Sequence, residues 1–241
     1  MYGMYGYGYG YGLDPTIILV LIGAALSLWA PGRVNSTFSR YSRVRSMTGM
    51  TGAEAVRRLL NEQGIYDVTV QQIAGELTDH YDPRTKTVNL SQSVYGATSV
   101  AAIGVAAHEC GHAMQDNEGY APLRFRSALV PVANFGSSLS WPLILLGLVF
   151  GGLGSPLVEI GILMFSLAVL FQLVTLPVEY NASARAVRLL DAQGILAGEE
   201  VNGTRKVLNA AALTYVAAAA TSILQLLRLI ILFGGRNRRD R

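Results

Sequence analysis

The residues best suited to chemistry in this 241-residue chain lie together in the pentapeptide His-Glu-Cys-Gly-His at 108–112. On a helix, His108 and His112 lie on one face, one turn apart, where two imidazoles can bind a single zinc ion. Glu109 projects beside that metal and can accept a proton from a water molecule before passing it to a leaving amine. The chain has only three histidines, and two of them are in this motif, which favours a metal site over two histidines that merely form hydrogen bonds. The pattern predicts zinc-dependent peptide hydrolysis, with one zinc per chain.

A catalytic zinc site needs a third protein ligand and an open fourth position. Since no histidine follows His112, we expect a carboxylate. Glu179 is the first candidate, because it follows Pro177 at the exit of an apolar segment and opens a predicted polar helix over 179–193. Glu159 is the rival, at the far end of the same segment. Two acidic residues close to the motif, Asp116 and Glu118, are expected to lie beyond the site helix.

Three further residues could contact the substrate or the metal. His80 and Tyr81 lie on a predicted strand ahead of the site helix, where either could stabilise the oxyanion of a tetrahedral intermediate. Arg185 could steady a carboxylate or a substrate carbonyl, although a solvated or headgroup-facing arginine is the alternative. Cys110 lies two residues from His108, off the ligand face, and is expected to be a small buried residue.

The composition places these residues in a membrane protein. Hydrophobic residues make up 51% of the chain and charged residues only 15%, whereas an ordinary soluble domain carries roughly 25% charged residues. The net charge of +3 comes with basic residues beside apolar runs, which indicates membrane topology and no nucleic-acid partner. A single cysteine excludes an intrachain disulfide.

Four apolar segments are long enough, or nearly so, to cross a bilayer, and they cover 15–30, 128–150, 156–177 and 210–233. In the first, Leu13 and Trp29 can reach the two membrane interfaces. This segment is predicted to be an uncleaved anchor, because no basic region precedes it as in a signal peptide. The second and third segments are joined only by Gly-Gly-Leu-Gly-Ser, which predicts a tight helical hairpin.

Between the first two apolar segments, the pattern indicates short soluble elements. Thr51 and Glu54 have the spacing of a capping box at the start of a helix that Gly64 ends. A β-hairpin is predicted over 77–90 and the site helix over 99–115. The expected fold is a mainly α membrane protein with about four transmembrane helices and a small α+β site region that contains this hairpin.

These patterns divide the chain into seven parts. In order they are a disordered Tyr/Gly tail (1–12), a transmembrane anchor (13–31), the site region (32–127), a transmembrane hairpin (128–177), the third-ligand helix with a linker (178–209), a C-terminal membrane helix (210–233) and a basic tail (234–241).

The chain resembles the YugP-like membrane zinc metallopeptidases over about 14–233. More distantly, it is similar to the HtpX and CAAX prenyl protease group, which implies a zincin-like site region. The resemblance implies that His108, His112 and Glu179 are zinc ligands and that Glu109 is the base. It departs from the distant group at Ser183, where that group has an aspartate. It rests on the stretches DHYDPRTKTVNLS (79–91), VAAHECGHAMQ (105–115), LPVEYNASARA (176–186) and AAALTYVAAAATSILQLLR (210–228).

The four apolar segments also predict how the chain sits in the cell membrane. They put the two parts of the site on one membrane side, and the positive-inside rule places that side in the cytoplasm. The basic C-terminal tail would then lie outside, in conflict with the same rule. The basic residues on the site side are Arg33, Arg40, Arg43, Arg45, Arg124, Arg126, Arg185, Arg188, Arg205 and Lys206.

Three classes of function compete on these observations. The first is a membrane endopeptidase acting on peptides or membrane proteins. The second is a metal-binding membrane scaffold that hydrolyses nothing and would tolerate the loss of Glu109. The third, a transporter or pore, is disfavoured because the apolar segments are few and their only charged residues, Glu159 and Arg228, lie near segment ends. Nothing in the sequence indicates an oligomeric state.

Overall fold

The protein is described by a computed structural model covering residues 14–152 and 154–234. The predictions for the Tyr/Gly tail, for Leu13 and for residues 235–241 of the basic tail concern residues outside these ranges. The elements in chain order are α1 (Ile17–Tyr41), α2 (Gly52–Glu62), β1 (Thr69–Ile73), β2 (His80–Asp82), β3 (Thr87–Ser91), α3 (Gln92–Tyr95), α4 (Val100–Asn117), α5 (Ala121–Gly151), α6 (Pro156–Ala192) and α7 (Glu199–Phe233).

Four helices of the described chain, α1, α5, α6 and α7, are long and apolar enough to cross a membrane. Many of their large apolar side chains are exposed, for example Leu28 and Phe150, each 80% exposed. Exposed apolar surface of this extent is what a bilayer would cover. The predicted fold class, a mainly α membrane protein with a small α+β region, is confirmed.

Helix α1 is longer than the predicted apolar segment. Pro31 lacks an N–H, yet α1 continues through it to Tyr41. Its last turns are stabilised by tertiary packing, since Phe38 and Tyr41 contact the core of the site region. At Gly203 of α7, an added Cβ would lie 2.7 Å from the Tyr41 ring, so the absence of a side chain there allows the close contact.

Arg228 of α7 contacts the start of α1. Its Nη2 lies 3.5 Å from a carboxylate oxygen of Asp14, and its Nε donates a hydrogen bond to the Thr16 hydroxyl at 3.2 Å. An arginine near the end of a membrane helix thus has a charged partner within the protein.

Helices α5 and α6 form the predicted hairpin and approach closely at glycines. A Cβ at Gly136 would lie 2.7 Å from the Met164 carbonyl oxygen, and one at Gly161 would lie 2.9 Å from that of Ser140. Small residues at such contacts let helix backbones pack together inside a membrane, where no hydrophobic force drives helices together.

The prediction of two separate helices, one ending at Pro177 and one starting at Glu179, is wrong. Helix α6 includes Pro177 in its interior and runs on to Ala192. Its later turns pack against α4 and α7, which stabilises helix across the proline. A helix of 37 residues is roughly 55 Å long, while a bilayer core is about 30 Å thick, so part of α6 projects beyond the bilayer.

The site region contains the capping box, the helix-ending glycine and the hairpin that the sequence predicts. Thr51 and Glu54 form a complete capping box at the start of α2, and Gly64 follows the helix with a positive φ of 68°. The predicted hairpin is formed by β2 and β3, which pair antiparallel. β1 joins β3 on its other side in parallel, so the strand order is β1-β3-β2 and β2 is an edge strand.

Helix α4 lies at the centre of the buried core. Ser99 caps its start by accepting a hydrogen bond from the Ala102 N–H. Its apolar residues, among them Ile103 and Ala106, pack with Val56 of α2 and Leu90 of β3 in one buried cluster. The helix that carries the motif is therefore fixed on several sides.

Candidate metal centre

Helix α4 places the two motif histidines beside each other. The ring centroids of His108 and His112 are 4.8 Å apart and the rings are nearly perpendicular, at 83°. Glu179 of α6 completes the group: its Oε2 lies 3.2 Å from Nε2 of His108 and 3.6 Å from Nε2 of His112. One atom from each side chain lies within 4.8 Å of the others, a geometry that could hold a metal ion.

Contacts behind the histidines orient both rings. Nδ1 of His108 lies 3.0 Å from the Ser183 hydroxyl, and Nδ1 of His112 lies 3.0 Å from Oε1 of Gln115. Nε2 of Gln115 donates to the Val178 carbonyl and to Asn181, so its carbonyl oxygen faces His112 and accepts a hydrogen bond from Nδ1. This tautomer leaves the Nε2 lone pair of His112 directed at Glu179, as metal ligation requires.

Gly111, the fourth residue of the motif, sets the distance between α4 and α6. A Cβ at this position would lie 2.6 Å from the carbonyl oxygen of Ala182. Real Cβ atoms do not approach backbone so closely, and a helix backbone cannot move aside as the end of a flexible side chain can. The two helices therefore meet backbone to backbone here, which brings Glu179 within reach of the histidines.

Glu179 is buried, with 2% of its surface exposed. Arg126 of α5 places Nη2 3.7 Å from the other carboxylate oxygen, Oε1. The rival Glu159 lies twenty positions earlier on the same continuous helix, so the two residues are separated by roughly 30 Å along the axis. Because α6 is one continuous helix, Glu159 lies far from the histidines that Glu179 contacts.

Glu109 is held by the edge strand. Its Oε2 accepts a hydrogen bond from the backbone N–H of Tyr81 at 3.0 Å. Nearby, Asp79 anchors the start of β2 by accepting from the N–H and hydroxyl of Ser91. Burial raises the pKa of Asp79, and the charge of Glu109 acts in the same direction, while the bonds from Ser91 oppose both.

The charges around His112 affect its protonation. Burial lowers the pKa of this imidazole, but the hydrogen bond that its protonated form donates to Glu179 and the charges of Glu109 and Glu179 outweigh burial, so the pKa is raised. For Cys110, burial alone raises the pKa of the thiol. It lies in the core rather than in the histidine–glutamate group, as its position on α4 predicts.

Comparison with known proteins gives the family. The sequence profile of the family described as "Putative neutral zinc metallopeptidase" matches residues 16–234. The chain belongs to this family. A protein of Bacillus subtilis (strain 168) named "Putative membrane protease YugP" is 48% identical over 217 residues, which cover 90% of this chain and 96% of the relative. No solved structure matches the chain significantly.

In this member of the metallopeptidase family, His80 and Tyr81 of β2 were also predicted as site residues, and their side chains make different contacts. The ring of His80 lines the cleft beside the histidines, with Nδ1 2.9 Å from the Thr78 carbonyl and Nε2 3.2 Å from the Asn89 amide. Tyr81 contributes its N–H to Glu109, but its hydroxyl donates to Asp116 at 2.8 Å. That bond adds to the burial that raises the pKa of the phenol.

The structure does not bring Arg185 to the histidine–glutamate group. Its guanidinium pairs with Glu118, and its Nε donates to Asn181 at 2.7 Å. It also lies over the Tyr120 ring. Arg185 lies six residues beyond Glu179 on α6, so helical geometry turns it toward the end of α4 and away from the histidine–glutamate group.

Two residues near the site were not singled out from the sequence. Arg126 of α5 and Tyr215 of α7 both line a cleft of about 870 Å³ together with the histidines. The hydroxyl of Tyr215 interacts with Glu179, and Nε of Arg126 is buried without a hydrogen-bond partner among the described residues. Tyr215 stands out in the sequence as the one aromatic residue in an alanine-rich stretch, whereas Arg126 resembled any other basic residue beside an apolar segment.

Proposed function

We propose that this protein is an integral-membrane zinc endopeptidase with His108, His112 and Glu179 as metal ligands and Glu109 as the general base. The observation that carries the proposal is the convergence of two Nε2 atoms and one carboxylate oxygen beside Glu109. The donor set suits zinc, because catalytic zinc sites commonly have three nitrogen or oxygen ligands from the protein. We propose one zinc per chain.

A zinc ion at this site would supply Lewis acidity toward water and the peptide carbonyl group. The side chains supply the proton transfers. Glu109, fixed by the Tyr81 N–H, accepts the proton of the attacking water and delivers it to the amine that leaves. Ser183 and Gln115 keep both imidazoles in the orientation that ligation needs.

Donors on the opposite wall of the cleft can stabilise the negative charge that develops on the carbonyl oxygen. Arg126 and Tyr215 face Glu179 and line the cleft, so we propose this role for them first. His80 also lines this cleft, but it ranks below them, because its two ring nitrogens contact the Thr78 carbonyl and the Asn89 amide. Tyr81 and Arg185 are not proposed as donors, because their polar groups are bonded elsewhere.

The edge strand β2 offers a binding mode for an extended peptide. It is the outermost strand of the sheet and lines the cleft next to Glu109. A peptide that adds to such an edge is aligned by main-chain hydrogen bonds, largely independently of its sequence. We therefore propose that the substrate is a peptide or a locally unfolded segment of a membrane protein.

We propose that the site faces the cytoplasm. The basic residues around it, such as Arg33, Arg40 and Arg205, lie beside the ends of the membrane helices, as the positive-inside rule expects for a cytoplasmic side. Glu179 directly follows the apolar stretch of α6, and Tyr215 lies near the start of the apolar stretch of α7. We therefore propose that substrates close to the membrane surface reach the site most readily.

The test is Glu109→Gln in the purified full-length protein. The amide keeps the shape but cannot take a proton, so casein cleavage should fall by roughly 10²- to 10⁴-fold. Zinc per chain, measured by elemental analysis, should equal that of the unaltered protein. The matched control is Glu118→Gln, which removes an exposed carboxylate paired with Arg185 and should leave cleavage intact. Unchanged casein cleavage by Glu109→Gln would favour the non-catalytic scaffold instead.

A further inference from the structure

A second, smaller cavity borders the same proposed catalytic residues. Its volume is about 170 Å³, and it shares five polar residues with the larger cleft: Asp79, His108, Glu109, Glu179 and Tyr215. A group placed in this pocket would therefore lie directly beside the reacting atoms. Ser183, which orients His108, forms part of its wall.

Away from these shared residues, the walls of the pocket are almost entirely apolar. The membrane helices α1 and α7 contribute Val34, Phe38, Val207 and Ala211, and α4 contributes Val105. An apolar cavity of roughly 150 Å³ is large enough to hold a benzene-sized group and is poorly suited to water. The small side chain of Ala211 leaves this space open.

The loop ahead of β2 completes the pocket with Leu77. Leu77 has a φ of 53°, in the left-handed region that branched side chains avoid. The loop is held on both sides, since the Thr78 hydroxyl donates to the Ala74 carbonyl and Asp79 accepts from Ser91. Strain maintained by the surrounding structure commonly marks a functional position, and here it places a leucine at the pocket wall.

We infer that this pocket binds one large apolar side chain, such as leucine, isoleucine, methionine or phenylalanine, from the substrate residue next to the scissile bond. The inference rests on the proposed peptidase function and adds the substrate class. Edge-strand pairing alone would accept most sequences, whereas filling the pocket selects hydrophobic segments. Membrane-spanning or membrane-proximal segments of other proteins are rich in such residues.

The experiment uses the full-length protein in detergent and two peptide hydroxamates that differ only in a methyl or an isobutyl side chain beside the metal-binding group. Burial of the extra carbon atoms should make the isobutyl compound bind roughly 10- to 100-fold more tightly, as measured by calorimetry. Ala211→Leu fills the pocket and should abolish this ratio while zinc per chain stays constant. Ala211→Val, a smaller change, should reduce the ratio if the leucine variant does not fold.

The matched control is Ala220→Leu. Ala220 lies on the stripe of α7 that carries the exposed residues Val216, Ile223 and Leu227, away from the pocket. This variant should keep the full ratio. Sequencing of casein fragments should also show large apolar residues enriched on one side of the cleavage sites, with a shift to glycine, alanine and serine in Ala211→Leu.

Two results separate the pocket from the proposed function. If both hydroxamates bind with equal affinity, or if Ala211→Leu keeps the ratio, the pocket inference is overturned while the peptidase proposal stands. If neither compound binds and zinc is absent, the proposed function fails, and the inference fails with it.

Discussion

Helix α6 contacts two different environments along its length, and the comparison shows how this protein builds its site. At one end it packs against α5, where glycines meet backbone and only a few large side chains, such as Ile144 and Phe165, are buried. At the other end it packs against α4, where Ala186 and Leu190 join an extensive buried core. The same helix is thus a lipid-exposed element and a core element.

Different forces stabilise the two ends. In the site region, removal of apolar surface from water drives packing, and the core fixes α4 closely. In the hairpin, lipid is as apolar as the side chains, so close backbone contact supplies the attraction. The histidines are positioned by the first kind of packing, whereas Glu179 reaches them because the hairpin returns α6 to the site.

The largest expected effect tests whether α6 supplies the third zinc ligand, Glu179. In the proposed site, Glu179→Ala would remove both a charge and a direct metal bond, so zinc affinity should fall by more than the roughly 10- to 100-fold typical of residues that only orient the ligands. Chelator competition against a zinc indicator measures it. Glu159→Ala, at the far end of α6, should match the unaltered protein. The reverse pattern would exclude Glu179 as the third ligand.

The next prediction compares the loss of a leucine side chain from the buried core with its loss from the membrane surface. Leu90 of β3 is fully buried, while Leu163 of α6 is 59% exposed on the membrane surface. Leu90→Ala should cost about 2–5 kcal/mol, which lowers the unfolding midpoint by roughly 4–20 °C. Leu163→Ala should cost less than about 0.5 kcal/mol. Thermal unfolding in one detergent compares them, and similar shifts would contradict the distinction.

The smallest expected effect is at the contact that joins α4 to α6. Gly111→Ala places a methyl group against the Ala182 carbonyl and should destabilise the protein by about 1–3 kcal/mol. It should also weaken zinc binding, because the ligand helices move apart. Gly32→Ala in α1 is the control, since a Cβ there meets nothing within 4 Å. It should be neutral or slightly stabilising, because alanine favours helix. Equal zinc affinity in both variants would show that this contact does not position the site.

Much of the local structure of this protein could be predicted from the sequence alone. The capping box of Thr51 and Glu54, the hairpin over 77–90 and the helix that carries His108 and His112 each depend on residues close together in the chain. Composition likewise gave the membrane class, because long uncharged runs have few other structural uses. The grouping of Glu109 with the two histidines could also be predicted from the sequence, because helical spacing alone places both histidines on one face.

Tertiary structure decided what depends on distant packing. Pro177 was expected to end the helix, and contacts with other helices make α6 continuous, so that Glu159 and Glu179 belong to one helix. Arg126 and Tyr215 come from helices remote in sequence, and no spacing rule relates them to the motif. Arg185 shows the converse, because helical rotation directs a nearby charge away from the site. Sequence periodicity fixes the face a residue occupies within its own helix, but which helix that face meets depends on how the whole chain packs.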